Sequence, residues 1–262
     1  MKIWINILAI IVFIGAISAG KMYWNNKVSE QSVSRPTKVA ASNDTNNAEN
    51  TWGEHTQNLP KSIKTKIQKA EQTKTPLKLV IVGTAPKEEV KATWGELVKK
   101  KIEDSYGSSL INVDVHEYKD MTTLQFIKSD AYKEIAKARP DVLLFEPFLL
   151  NDNGVVGIEN TLENINIILS HLKSQNEQLI TILQPSAPVY KANNYPNDAE
   201  ALKQFAKENG YDYINHWTAW PDYRSEGILN YLTKTPGQPN DDGEKLWAQY
   251  LENYFTNSES NL

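Results

Sequence analysis

From Pro76 onward, short apolar runs alternate with stretches whose apolar residues recur every three or four positions. The first kind reads as strand and the second as amphipathic helix. Residues 77–83 form the first predicted strand, which stops at Gly83-Thr84-Ala85. A helix is predicted from about Lys87 to Ser105, with Val90, Trp94, Leu97, Val98 and Ile102 on one face and Gly107 as its stop. Ile111 to His116 alternates like a strand with one open face, and a helix follows from about Leu124 to Ala138, ended by Pro140. Asp141-Val142-Leu143-Leu144-Phe145 is a continuous apolar run, as in a strand covered on both faces. Thr161 to Ser174 is helical, and Leu179 to Leu183 is a further buried strand. Asn197 and Glu200 have capping-box spacing for a helix reaching Glu208, Tyr211 to Asn215 is the fifth strand, and Asp241 with Glu244 is a second capping box before the last helix.

Strands that alternate with helices favour a parallel sheet, because parallel neighbours need long, right-handed crossovers. The expected fold is α/β: a flavodoxin-like three-layer α/β/α arrangement with a five-stranded parallel sheet in the order 2-1-3-4-5. Loops after the first, third, fourth and fifth strands then meet along the carboxyl edge, where open α/β sheets keep their sites.

The N-terminus has a different pattern. Lys2 precedes an apolar run from Ile3 to Ala19, and Lys21 follows it. A membrane span needs ~20 mostly apolar residues, which Ile3 to Tyr23 supplies, with Met22-Tyr23-Trp24 as an interfacial flank. Ser18-Ala19-Gly20 equally suits a cleavage site. Residues 1–24 are therefore a signal-anchor or a signal peptide, and either places the remainder outside the cytoplasm. Residues 25–75 are polar and aperiodic, a composition that buries too little apolar surface to offset ordering entropy. They read as a flexible linker, with Ile63, Ile67 and Ala70 able to form a short helix near its end. The globular domain is expected over 76–257, with 258–262 as a tail.

Composition narrows the chemistry. The 262 residues carry a net charge of −4 and no cysteine, which excludes disulfides, thiolate metal sites and cysteine nucleophiles. No basic stripe stands out over 76–257, so nucleic acid is not an expected partner. No histidine pair or acidic cluster has metal-ligand spacing. A lone Gly83 does not make the glycine-rich loop that cradles a nucleotide phosphate, so no cofactor is expected.

At three places the chain resembles the SGNH (GDSL-type) hydrolase superfamily, over about residues 77 to 256. Val82-Gly83-Thr84-Ala85 stands where that family ends its first strand in Gly-Asp-Ser. Leu149-Leu150-Asn151-Asp152 follows the third strand, where the family has Gly-x-Asn-Asp. Thr235-Pro236-Gly237-Gln238-Pro239-Asn240 precedes the last helix, where the family has Asp-x-x-His-Pro-Asn. Leu183-Gln184-Pro185-Ser186-Ala187-Pro188 is similar to the proline-rich end of its fourth strand. The resemblance implies hydrolysis of acyl or acetyl esters, with envelope polysaccharide as a substrate that the expected location would suit. It also maps the nucleophilic serine to Ala85, the histidine to Gln238 and the aspartate to Thr235. Loss of all three equally suits an inactive module that binds a glycan or a partner protein through the old cleft.

The mechanism implied needs a hydroxyl nucleophile, a base and oxyanion donors. Thr84 offers the only hydroxyl in the first turn, or it caps that turn. Asn151 carries over as an oxyanion donor, while Asn151-Asp152-Asn153-Gly154 also has turn composition. His216, just past the fifth strand, could serve as base with Asp222 as its orienter, or it packs beside Trp217. Ser186 is a conceivable nucleophile or a turn residue between prolines. Gly83, Glu146 and Gln238 are candidate substrate contacts: Gly83 by its turn amides, Glu146 by a carboxylate at the end of the third strand, Gln238 by a hydrogen bond. Trp217, Trp220 and Tyr223 could stack on a sugar.

Overall fold

The computed structural model describes residues 52–258. Its centre is a five-stranded sheet in the order β2-β1-β3-β4-β5, with every pairing parallel. The strands are β1 (Leu77–Thr84), β2 (Ile111–Tyr118), β3 (Val142–Phe145), β4 (Ile180–Leu183) and β5 (Asp212–Tyr213). Helices α1 (Lys61–Thr73), α2 (Trp94–Tyr106), α3 (Thr123–Lys128), α4 (Ala131–Ala138), α5 (Leu149–Asp152), α6 (Ile158–Gln175), α7 (Tyr195–Asn209) and α8 (Asp241–Thr256) complete the domain.

The period-two pattern of the strands divides the core into two layers. Leu77, Leu79 and Ile81 of β1, with Val142 and Leu144 of β3 and Ile182 of β4, face α1, α2 and α8. Val80, Val82, Leu143, Phe145 and Leu183 point the other way, onto α3, α4, α6 and α7. All four residues of β3 are buried, which is why its sequence is unbroken by polar positions.

Four expectations need correction. The domain does not begin at 76. Trp52, Leu59, Ile63, Ile67 and Ala70 are buried in the first core layer, so the described part of the expected linker is folded. In α1 the apolar positions are few, yet they fall at i, i+4 and i+7, enough to seat one face. The second helix starts at Trp94 rather than Lys87, where Thr93 and Glu96 form the capping box. The helix expected over 124–138 is broken at Ser129-Asp130, where Asp130 has φ 59°. The two expected capping boxes do not form. Asn194 precedes α7 without a side-chain cap, and α8 is capped by Asn240, which accepts from Asp242 N and Gly243 N.

The apolar run Ile3 to Ala19 and most of the expected linker lie outside the described residues. Within the described residues no helix is long and apolar enough to cross a membrane.

Candidate functional site at the carboxyl edge

The parallel topology brings the ends of β1, β3 and β4 to one edge, and the loop before α8 closes over them. Thr84, Glu146, Ser186, Gln238 and Glu244 line one small cavity there, with Trp94 and Trp247 as its walls. Its volume is about 20 Å³, room for one water and far below the ~300 Å³ of a small ligand pocket.

Glu146 is the hub. It is fully buried. One carboxylate oxygen accepts from both Thr84 N and Thr84 Oγ1, each at 2.7 Å. The other accepts a short hydrogen bond from Ser186 Oγ. Burial pushes its pKa up, and the bonds from Ser186 and Thr84 pull against that. Thr84 and Glu146 are thus brought together, as a carboxylate and the hydroxyl it could deprotonate.

The remaining parts of an acyl-transfer centre do not converge there. The β1-turn amides have internal acceptors: Thr84 N goes to Glu146 and Ala85 N to Tyr118 O at 3.1 Å. Asn151 does not line the cavity; its Nδ2 donates to Met121 O at 2.9 Å. The neighbouring Asp152 is buried and accepts from Thr123 N, Thr123 Oγ1 and Thr161 Oγ1, which pins α5 to α3 and α6. The asparagine turn is therefore a structural clasp. Gly83 is a close-packing glycine, since a Cβ there would sit 2.7 Å from Trp94 Cζ2. Gln238 does reach the cavity, but its Oε1 accepts from Lys87 N at 2.7 Å, and its backbone closes a turn with Thr233 and Thr235. Gly237 makes that turn possible, with φ 70° and Leu150 packed where a Cβ would go.

His216 is not a base in waiting. It is fully buried, and its Nε2 donates to Pro185 O at 2.9 Å while Nδ1 accepts from Trp220 Nε1 at 3.1 Å. Both ring nitrogens are spent, and the tautomer is fixed by a carbonyl on one side and an indole N–H on the other. Burial pushes its pKa down to about 3, so the ring is neutral. It stacks on Trp247 at 4.2 Å. Asp222, its expected orienter, instead accepts from Arg224 N. Trp220 is buried, Trp217 donates to Ser186 O, and Arg224 covers one face of Tyr223 at 4.5 Å. No open sugar-stacking platform results from these three.

One contributor escaped the sequence reading. Glu244 was assigned to a capping box, yet it is buried and accepts from Trp94 N at 2.7 Å, joining α8 to the start of α2. Burial pushes its pKa up to about 8. Glu117, at the end of β2, is pushed up to about 7 by burial, and its Oε1 has no partner among the described residues. The signal that could have found Glu244 was its place three residues before Trp247, about one helical turn, which puts the two on the same inward face. Among the described residues no group of three or more His, Asp and Glu side chains could hold a metal ion.

No protein-family model matches the sequence, and no curated protein does. Solved structures do match in fold. A carbohydrate esterase of family 3 from Talaromyces cellulolyticus is 12% identical with a TM-score of 0.56, covering 67% of this chain and 94% of the esterase. A catalytic mutant of an acetylxylan esterase from Geobacillus stearothermophilus is 14% identical with a TM-score of 0.53, covering 71% and 97%. A GDSL-like lipase from Bacteroides thetaiotaomicron is 12% identical with a TM-score of 0.50, covering 72% and 96%. The chain has the SGNH-hydrolase fold. Identities of this size establish architecture, and the SGNH fold alone does not carry an activity.

Proposed function

We propose that this protein is an SGNH-fold module held on the outer side of a membrane, in which ester hydrolysis has been lost and binding at the cell envelope kept. One observation carries the loss: the three oxyanion donors that the resemblance offers are each bound to an internal acceptor. Thr84 N is held by Glu146, Ala85 N by Tyr118 O and Asn151 Nδ2 by Met121 O. Oxyanion donors act only when aimed at the space where charge develops, and that space is about 20 Å³ here. Ala85 and Gln238 at the serine and histidine positions of the resemblance point the same way. The apolar run Ile3 to Ala19 behind Lys2 supports the location. Short-chain acyl esters and a fluorophosphonate probe test the first part, with no turnover and no labelling expected. Saturable hydrolysis that disappears in Thr84→Ala would overturn it. Protease accessibility of the domain in intact cells tests the location, and complete protection would reject it.

The Thr84 Oγ1 to Glu146 hydrogen bond of 2.7 Å supports a second reading, an ester hydrolase of the kind its structural neighbours represent. Glu146 would take the hydroxyl proton as Thr84 Oγ1 attacks the ester carbonyl, and would return it to the departing alcohol as the ester C–O bond breaks; water, deprotonated by Glu146, would then release the acyl group as a carboxylic acid and restore threonine. In that case Glu146→Gln and Thr84→Ala abolish turnover alike, and an acyl-threonine adduct forms on the wild-type chain.

A further inference from the structure

A much larger open space is at the other end of the sheet. A groove of about 690 Å³ runs between α1 and the amino-terminal ends of β1 and β4, with Leu77 and Ile180 in its floor. Lys61, Thr65, Lys69 and Thr73 line it at successive i, i+4 positions, and Ser62 and Lys66 flank them. This spacing puts alternating cations and hydroxyls in one stripe along the helix. The opposite face of α1 carries Ile63, Ile67 and Ala70 into the core, so the stripe is fixed in direction.

The charge of this region is out of proportion to the molecule. Residues 61–78 hold Lys61, Lys64, Lys66, Lys69, Lys74 and Lys78 against Glu71 alone, in a chain of net charge −4. In the groove itself one carboxylate, Asp141, faces three lysines. Asp141 is engaged by Lys66 Nζ at 3.5 Å and by Lys78 N at 3.0 Å. Lys61 and Lys69 are exposed, and neither side-chain ammonium has a hydrogen bond or ion pair with any described residue. Their centres are eight residues apart, roughly 12 Å along the helix axis.

We infer that this groove binds an extended anionic glycan, a strand of sugar or polyol units carrying carboxylate or phosphate, with Lys61 and Lys69 as its two charge contacts. A recessed site with unpaired cations focuses the field on a bound anion. Thr65 Oγ1 and Thr73 Oγ1 donate to Lys61 O and Lys69 O, each at 2.9 Å, which leaves their lone pairs to accept from a polyol. Concavity separates this occupant from a bilayer surface. Lys66 is sunk into the wall with 17% of its side chain exposed, beyond the reach of a flat array of head groups but within reach of a strand. The inference stands whether or not the carboxyl edge hydrolyses esters, because the two sites share no residue.

The test is binding of polygalacturonate to the full-length chain, against neutral amylose, phosphatidylglycerol vesicles and a single-stranded DNA oligonucleotide. Wild type should bind polygalacturonate, weaken as salt is raised, and ignore amylose. The double variant Lys61→Glu/Lys69→Glu should weaken binding by tenfold or more, with an unchanged melting temperature, since neither side chain has a partner among the described residues. The control Lys133→Glu/Lys137→Glu makes the same change of net charge on α4 and should bind as wild type. Equal loss in both double variants, or no loss in the first, overturns the proposal. Tighter binding of the vesicles or of the oligonucleotide that depends on Lys61 and Lys69 also overturns it, in favour of a lipid surface or nucleic acid. An esterase assay on the same groove variant reports on the carboxyl edge separately.

Discussion

The two ends of the sheet have exchanged the properties expected of them. At the carboxyl edge, where open α/β folds keep their chemistry, the polar groups around Glu146 are dense and bound mostly to one another, and about 20 Å³ is left. At the amino edge, where the fold has no tradition of sites, a groove of about 690 Å³ stands open with unpaired lysines along it. A polar cluster signals reactivity only when some of its hydrogen-bonding capacity is left over. Glu146, Thr84, Ser186 and His216 are chemically rich and spent; Lys61 and Lys69 are chemically plain and available.

The largest effect expected tests how firmly the carboxyl edge is shut. Trp247 stacks on Trp94 at 4.7 Å and on His216 at 4.2 Å, and its indole N–H donates to Gln184 Oε1 at 3.0 Å. Trp247→Ala should lower unfolding free energy by about 3–5 kcal/mol, by loss of burial and creation of a cavity. Denaturant unfolding measures it. A loss below about 1 kcal/mol would mean that the edge is loosely closed and that the cavity described is not its resting state.

At the opposite end, Ile67→Ala should cost about 2–5 kcal/mol, because Ile67 is buried against the sheet. A near-neutral result would return α1 to the role of a tether and remove the wall of the basic groove. Both variants should leave the far end intact, so hydrogen exchange in Ile67→Ala should accelerate around α1 and spare the residues around Glu146.

The two ends also differ in their response to pH. Glu244 is pushed up to about 8, by burial first and by Glu117, Asp241 and Glu96 next, against the bond from Trp94 N. Glu117 is pushed up to about 7 by burial, with Glu96 and Glu146 adding to it. In the unfolded chain both titrate at the ordinary value of 4.5. Between that value and the raised ones the folded state holds protons that the unfolded state releases. Their stabilisation is therefore complete below the unfolded pKa and fades as pH rises through 7 and 8, by up to about 1.4 kcal/mol per unit for each group. The melting temperature should fall from pH 5 to pH 9, and Glu244→Gln should flatten that slope. A melting temperature that rises over this range would contradict the burial assigned to both carboxyls.

Much of the fold was legible because strand and helix rhythms are local. The runs at 79–82 and 142–145 state their burial directly, and parallel pairing follows from crossover length. The start of the domain was hidden, since α1 is polar except at Ile63, Ile67 and Ala70 and reads as linker until the sheet is there to receive those three. Assigning 25–75 to a linker also removed five of the six lysines of residues 61–78 from the globular surface, so the basic stripe went unseen. At the carboxyl edge Thr84, Glu146 and Gln238, singled out in the sequence, line one cavity, because strand ends fix position. It could not show that Asn151 turns to Met121 or that both nitrogens of His216 are taken, since those depend on side-chain partners distant in sequence.

The smallest expected effect separates charge that holds the fold from charge that faces outward. Lys66 and Asp141 form the ion pair inside the groove, with side-chain exposures of 17% and 36%. A half-solvated pair of this kind contributes about 0–1 kcal/mol. Lys66→Met keeps most of the apolar stem and removes the charge, so stability should change by less than about 1 kcal/mol. Freed from Lys66, Asp141 would then repel an anionic strand, and polygalacturonate binding should weaken about two- to fivefold while the melting temperature barely moves. Were stability to fall by several kcal/mol with binding unaffected, the groove lysines would be structural like the polar groups at the other end. The contrast between a spent edge and an available one would then no longer describe this molecule.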